Sequence, residues 1–445
     1  MRQETRDISL REIKFTFSPL SSLVSVLCSH VSLMKILFVT HYPHMMGANR
    51  SLLSLIRGLR EYAVECVVLC PKKGDFTEAL EAENIKYLVA PFTNWVYTKV
   101  SPNYYLFPLR ILQNYIVLPR LVKQVAALNI DLIYTNSSVT AVGAYLAHRL
   151  EKKHIWHIRE FVRKHYKTNY VFGRKNFVKW MNRSAAVVSI SQALIDGVLL
   201  DVSSPKYLIY NGVMSREEMK QLNASPPPSP SRNEFGTGFQ RGRFSASQKT
   251  LGERISPSGR GQGGGLAPTF TFLNVGLIHP MKQQMQALKA FHLLTEKYDN
   301  IRLIFVGKGR RIYTEKMRQF CKKNNLENKV QILGYVPNPS EIYAQSNALL
   351  MCSLHEGMGR VTAEAMAYGL PVIGLRSGAT PELVQHGENG LIYEGDERNL
   401  MSQMEYLISH PNEALKMGQQ GHKMALSKFT TERYVEEVWH VISAT

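Results

Sequence analysis

Short apolar runs alternate with amphipathic segments twice along this chain, and a stretch that can form neither separates the two series. The first series opens at Met34-Lys35-Ile36-Leu37-Phe38-Val39-Thr40, a run apolar on both faces, as a buried parallel strand requires. A glycine-bearing loop and an amphipathic helix over 49–59 follow, with Leu52, Leu53, Ile56 and Leu59 on one side. Strands are then expected over 65–69, 86–89, 131–134, 153–157 and 186–189, with a helix over 76–83. The second series places strands over 269–275, 302–306, 330–333, 348–351 and 371–374. Helices over 283–297, 313–324, 340–345 and 361–368 lie between them. Alternation of this kind builds a parallel sheet covered by helices on both faces.

Between the series, residues 224–268 carry Pro226-Pro227-Pro228, Gly263-Gly264-Gly265 and many Ser and Arg, too little apolar surface to order a core. The expected fold is therefore α/β, with two Rossmann-like doubly wound domains facing a central cleft. The expected divisions are an N-terminal appendage over 1–33, a first domain over 34–223, a flexible linker over 224–268 and a second domain over 269–445. The last helix is expected to return to the first domain. Residues 1–33 interrupt their apolar stretch with Ser18, Ser21, Ser22, Ser25, Ser29 and Ser32, which does not suit a signal peptide.

Composition narrows the function. No run of about 18 apolar residues exists, so a membrane-spanning helix is not expected. Five scattered cysteines (Cys28, Cys66, Cys70, Cys321 and Cys352) form neither a disulfide framework nor a zinc-ligand pattern, and they read as reduced thiols. The formal charge is +19, and the excess is regional. Residues 34–223 hold about 25 basic and about 13 acidic groups, whereas 269–445 hold about 19 and about 17. Residues 149–183 hold about eleven basic groups against Glu151 and Glu160. Trp156, Phe161, Tyr166, Tyr170, Phe172, Phe177 and Trp180 are interleaved with them, a mixture suited to an anionic membrane surface. No helix-turn-helix, ribonucleoprotein-like or zinc-finger pattern accompanies it, so nucleic acid is not the expected partner.

Parallel sheets bind ligands at the carboxyl ends of their strands. The richest such loop runs from Ser353 to Gly369. Glu356 and Glu364 flank a glycine turn that opens a helix, and a helix N-terminus suits an anion such as pyrophosphate. Gly357 and Gly359 let the main chain approach closely, while the two carboxylates can accept hydrogen bonds from hydroxyls on either side. These are the requirements of a nucleotide-sugar.

The stretch from Glu356 to Glu364, followed by Gly369-Leu370-Pro371-Val372-Ile373 and Glu382, resembles the E-x7-E signature of retaining GT-B glycosyltransferases, family 4 (glycosyl transferases group 1). Four segments extend the resemblance in order. They are Tyr210-Asn211-Gly212-Val213, Asn274-Val275-Gly276-Leu277 through Lys282, Phe305-Val306-Gly307-Lys308-Gly309, and Leu333-Gly334-Tyr335-Val336. The resemblance implies that Glu356 contacts the donor sugar and that Glu364 contacts the ribose. It implies that amides from Gly357, Met358, Gly359, Arg360 and Val361 meet the sugar and phosphates. Lys282 would neutralise the departing diphosphate, and His157, closing a strand, would face the sugar. Gly47, Gly276, Gly307, Gly334, Tyr335 and Val336 complete the implied donor site. Asn136, Ser137 and Arg159 are candidates for the acceptor side.

Three positions depart from the family pattern. Leu277 stands where an Arg is common, with Arg360 or Lys308 as possible substitutes, Met46 precedes Gly47 where glycines are often paired, and the segment 377–382 keeps one glycine, Gly378. No Asp-x-Asp pair lies in a strand-end loop, so a metal-bridged donor is not expected. The implied activity is retaining, metal-independent transfer from a nucleotide-sugar, UDP-sugar by default, with no cofactor. The acceptor would be a glycan or lipid-linked, on the cytoplasmic face of a membrane. A nucleotide-sugar epimerase of the same architecture and a nucleotide-sugar-binding scaffold without catalysis stay open as alternatives. A dinucleotide oxidoreductase is disfavoured, because no G-x-G-x-x-G opens the first helix.

Overall fold

The computed structural model describes residues 33–98, 106–162, 168–224 and 269–445. The expected appendage and linker lie, apart from Leu33 and Ala224, outside the described residues.

The first series folds into a seven-stranded sheet of β1 (Met34–Val39), β2 (Val64–Cys70), β3 (Lys86–Val89), β5 (Leu132–Thr135), β6 (Lys153–Ile158), β8 (Ala186–Ser189) and β9 (Lys206–Leu208). Their order is β3-β2-β1-β5-β6-β8-β9, parallel throughout. The second series forms β10 (Phe270–Val275), β11 (Ile301–Val306), β12 (Val330–Gly334), β13 (Ala348–Met351), β14 (Val372–Leu375) and β15 (Gly390–Tyr393). Their order is β12-β11-β10-β13-β14-β15, again parallel. Ile36, Leu37, Phe38 and Val39 are all fully buried, which explains the uninterrupted apolar run of β1. In each sheet the strand order reverses once, between β1 and β5 and between β10 and β13. A crevice opens at the carboxyl end of such a reversal. The loops after β1, β10 and β13 are the ones that carry Gly47, Gly276 to Lys282, and Glu356.

Strand bounds differ from the sequence expectation by a residue or two. Among the larger features not anticipated are strand β9, strand β15, the antiparallel pair of β4 (Val96–Thr98) with β7 (Thr168–Tyr170), the helices Glu397–Ser409 and Pro411–Lys428, and the helix Phe107–Ala126. Each of the three strand features involves only three or four residues, too short for periodicity to be read. The helix Phe107–Ala126 carries Pro119 in its interior, the residue that ordinarily ends a helical reading.

The chain passes between the two units at two neighbouring places. The amide of Val213 donates to the Phe429 carbonyl at 2.9 Å, and that of Thr431 donates to Met214 at 2.9 Å. Gly212 makes this possible, since a Cβ there would sit 2.6 Å from the Thr431 Cα. Beyond the crossing, the helix Thr431–Ala444 lies on the helix Gly47–Leu59 of the first unit, burying Tyr434, Val435, Val438, Val441 and Ile442. The amphipathic pattern of that last helix is therefore satisfied by the other unit's core. Cys70 and Cys352 are buried, and burial pushes both thiols up to about 12, which keeps them protonated.

Candidate active site

Three glycines step across the ends of β10, β11 and β12. The amide of Gly276 donates to Val306 at 2.8 Å, and that of Gly307 donates to Gly334 at 2.7 Å. Gly307 has φ +149°, and a Cβ there would lie 1.8 Å from the Gly276 carbonyl oxygen, so only glycine fits. Beyond Gly276 the chain exposes Leu277, turns through Pro280–Lys282, and is tied to the next loop by the Leu354 amide, which donates to Met281 at 3.0 Å. That tie sets Lys282 opposite Glu356, with Nζ 2.5 Å from Oε2. Both side chains are about one-fifth exposed, at 23% and 17%. The pair is thus shielded from bulk water without being sealed from a ligand.

The loop after β13 is held from both sides. Gly378, at φ +58°, packs against the main chain of Glu356, where a Cβ would come within 2.5 Å of the Glu356 carbonyl. The amide of Ala379 donates to that same carbonyl at 2.9 Å. The one glycine retained in the segment 377–382 is therefore the one the turn needs. On the other side the loop meets the first unit. Gly357 lies where a Cβ would be 2.7 Å from the Arg159 carbonyl, and the Met358 sulfur accepts from the Asn211 amide at 3.2 Å and from its Nδ2 at 3.3 Å. Gly359, at φ +80°, starts the helix Arg360–Ala367, whose first amides have no partner within the helix. Val361 is half-buried in its first turn.

Arg360 behaves differently from the sequence expectation. Its Nη1 donates to Ser51 Oγ at 2.8 Å and to the Gly212 carbonyl at 2.9 Å, while Nη2 faces Glu364 at 3.4 Å. Burial holds its pKa below that of an ordinary guanidinium. Glu364 opposes that shift, and Arg50 and Arg159 add to it. The side chain expected to substitute for the missing donor cation is committed as a strut between the units. Lys308, by contrast, is exposed beside Gly307. Glu364 also accepts from the Tyr343 hydroxyl at 3.1 Å, which fixes one of its oxygens. At the rim, Tyr335 is 61% exposed and its hydroxyl lies 3.5 Å from Arg50 Nη2, while Val336 is half-buried against the core. Gly47 is exposed, 3.6 Å from the Arg360 side chain by its would-be Cβ.

His157 is fully buried, and its Nδ1 lies 2.6 Å from the Tyr134 hydroxyl and 3.2 Å from Arg159 Nη2. A guanidinium can only donate, so Nδ1 accepts and the ring proton sits on Nε2. Burial, reinforced by Arg159, holds its pKa well below the usual histidine range, which keeps the ring neutral. Nε2 is buried and has no partner among the described residues, and a neutral imidazole N–H in that position is a donor able to meet a ligand's acceptor.

The three acceptor-side candidates are internal. Asn136 and Ser137 are fully buried and Arg159 is 7% exposed. Arg159 donates to Asn136 and Asn211, each at 2.5 Å, and to Tyr434 at 2.9 Å. Ser137 donates to Glu160 at 2.6 Å. Together they make a polar strut beneath the site, which corrects the expectation that they line it. The basic and aromatic stretch over 149–183 is also corrected. Trp156, Phe161, Tyr170 and Phe177 are core residues, with Trp156 stacked on Trp95 and Tyr170 on Phe177. Among its described residues, Arg149, Lys175, Lys179 and Arg183 face outward, as does Phe172. Tyr166 lies outside the described residues.

Tyr134, Tyr434, Arg50 and Ser51 were not found by sequence reasoning, because no motif marks them. Glu382 was noted only as part of a pattern. Its carboxylate accepts from the amides of Gln192 and Ala193 at 2.8 and 2.6 Å and from the Tyr210 hydroxyl at 3.3 Å, a further bond between the units. Among the described residues no group of three or more metal-ligating side chains is assembled.

Residues 45–215 match the model described as Glycosyltransferase Family 4, and residues 266–424 match Glycosyl transferases group 1. The chain is 30% identical over 166 residues to N-acetyl-alpha-D-glucosaminyl L-malate synthase of Bacillus anthracis, covering 37% of this chain and 43% of that protein. It is 27% identical over 176 residues to the capsular polysaccharide biosynthesis glycosyltransferase CapM of Staphylococcus aureus, covering 39% and 46%. These matches thus span less than half the length of each relative. Anabaena HepE, solved with UDP and glucose, superposes with a TM-score of 0.68 at 21% identity, covering 93% of this chain and all of that one. Two sheets meeting at their carboxyl ends, with the paired family models across them, establish that this chain belongs to the GT-B glycosyltransferases of family 4, group 1.

Proposed function

We propose that the chain transfers a sugar from a nucleotide-sugar, with UDP as the carrier, to a lipid-linked glycan acceptor with retention of configuration and without a metal or other cofactor. The observation that carries this reading is the Lys282–Glu356 pair beside the Gly357–Gly359 turn. Without donor, each charge compensates the other. With donor bound, the ammonium turns to the diphosphate and the carboxylate accepts from a sugar hydroxyl. The first amides of the helix Arg360–Ala367 add fixed positive dipoles. Positive groups already in place where charge accumulates are the strongest single source of rate in such a step. UDP as the carrier is supported by the ligands of the structural neighbour, and a glycan acceptor by the capsular relative.

In the proposed step the acceptor oxygen bonds to the anomeric carbon as the bond from that carbon to the phosphate oxygen breaks. Both events take place on one face, and the acceptor's proton goes to the departing phosphate. No side-chain base is then required. His157, neutral and with its proton on Nε2, serves as a hydrogen-bond donor to the sugar. Glu364 receives a ribose hydroxyl on the oxygen that Tyr343 leaves available. Among the described residues no helix is long and apolar enough to cross a membrane, so the proposed lipid-linked acceptor is met from the bilayer surface.

The test is a screen of radiolabelled nucleotide-sugars against lipid-linked acceptors. Lys282→Ala and Glu356→Ala are each expected to lower turnover by about a hundredfold or more with the fold intact, and a chelator is expected to change nothing. Turnover undiminished in both variants removes the pair from the mechanism. An altered free donor sugar formed without acceptor would point instead to an epimerase.

A further inference from the structure

The helix Phe107–Ala126 has two apolar sides, and the sheet needs only one. Leu121 and Val125 are buried against it and Ile111 is buried too, while Gln113 and Asn114 bond to Pro91 and Thr93 along one edge. On the outer side Leu109, Leu112, Tyr115 and Ile116 are 64%, 54%, 67% and 62% exposed. Positions 109, 112 and 116 are spaced three and four apart, so they share one face, with Tyr115 at its border. Continuing the same spacing by three and four residues brings exposed Arg120 and Lys123 onto that face. The helix contains no acidic residue.

Single exposed leucines are ordinary, but four large apolar side chains within about two turns of one helix form a contiguous patch. We infer that this face docks the first domain onto an anionic lipid bilayer, with Leu109, Leu112, Tyr115 and Ile116 entering the interfacial layer and Arg120 and Lys123 resting among the headgroups. Charge selects this occupant. A bilayer presents hydrocarbon beneath a layer of negative charge, which matches apolar side chains flanked by cations alone. A second copy would set two faces of the same sign together, without an acid on either helix to relieve them. Tyr115 carries a polar tip on an apolar ring, the form favoured at the headgroup level. The inference deepens the reading of a lipid-linked acceptor and moves the membrane contact from residues 149–183, where Trp156, Phe161, Tyr170 and Phe177 are core.

Flotation of the full chain with vesicles tests it, and no donor or acceptor is involved. Binding is expected to phosphatidylcholine vesicles containing phosphatidylglycerol and not to phosphatidylcholine alone. Leu112→Glu with Ile116→Glu should lower partitioning by about a hundredfold, and Arg120→Glu with Lys123→Glu by about tenfold or more. The unfolding midpoint should stay unchanged, because all four side chains are exposed. Absent binding by the full chain, or binding undiminished in the Leu112/Ile116 variant, overturns the inference. A dimer in solution that the same variant dissociates overturns it too, by giving the face to a second copy. A chain that glycosylates a water-soluble acceptor yet ignores anionic vesicles sinks this inference and leaves the transferase reading standing.

Discussion

Replacing Arg360 by methionine separates two roles that the sequence alone cannot tell apart. Methionine keeps much of the buried stem and removes the guanidinium. The Gly212 carbonyl loses its donor at 2.9 Å, and Ser51 loses its contact at 2.8 Å but keeps its bond to Gly47. Glu364 loses a weak partner at 3.4 Å and keeps Tyr343. A hydrogen bond from a charged donor is worth about 1.5–3 kcal/mol, so two such bonds give roughly 3–6 kcal/mol before offsets. Relief of repulsion from Arg50 and Arg159 and of the desolvated charge returns part of this, leaving a net loss of about 2–3 kcal/mol. At ~2–4 °C per kcal/mol that is a fall of roughly 5–10 °C in Tm. Thermal unfolding and donor KM are measured side by side. A strut predicts the fall in Tm, in the presence or absence of donor. A donor-phosphate ligand predicts an unchanged Tm and a KM raised by about tenfold or more, and that outcome would refute the strut.

Two further outcomes follow from buried groups. Gly307→Ala should cost more than about 4 kcal/mol, since its Cβ meets the Gly276 carbonyl. Gly276→Ala, at φ +147° but with its new Cβ more than 4 Å from any described residue except its chain neighbours, should cost about 1–3 kcal/mol. Equal urea midpoints for the two variants would contradict the close approach. His154, held between Thr135 and Ser184, is pushed down to about 3 by burial. Its unfolded value is near 6.5, so the unfolded chain binds the extra proton between these limits. The stability contribution is then complete above about pH 6.5 and is lost as pH falls toward about 3, at up to about 1.4 kcal/mol per pH unit. Glu160, whose carboxyl burial raises, runs in the opposite sense, so the informative quantity is the slope that His154→Gln removes. A slope identical in the variant would show that His154 titrates normally.

The alternation of strand and helix could be read from the chain because each central strand is buried on both faces, and that demand writes an unbroken apolar run. The glycines at strand ends could be read for a similar reason, since only their backbone reaches the required φ. The helix Phe107–Ala126 was hidden by Pro119 and by an apolar pattern that covers more than one side. The aromatic residues of 149–183 were assigned to the surface because composition carries no direction. In the helix Gly173–Met181, Phe177 and Met181 point inward and Lys175 and Lys179 outward, a division that appears only once the sheet supplies an inside.

The chain's own letters determined two parallel sheets, the loops that end their strands, and a carboxylate pair framing a helix start. These are local demands, set by burial on both faces and by backbone conformations that only glycine meets. Tertiary structure decided which charges are spent on holding the units together and which face the crevice. Arg159 and Arg360 are as basic as Lys282 in the sequence, but their partners come from distant residues: Asn136, Asn211 and Tyr434 for the first, Ser51 and Gly212 for the second. A side chain's role depends on the atoms that reach it, and those atoms are brought together by the crossing of the chain between its two units rather than by neighbours along it.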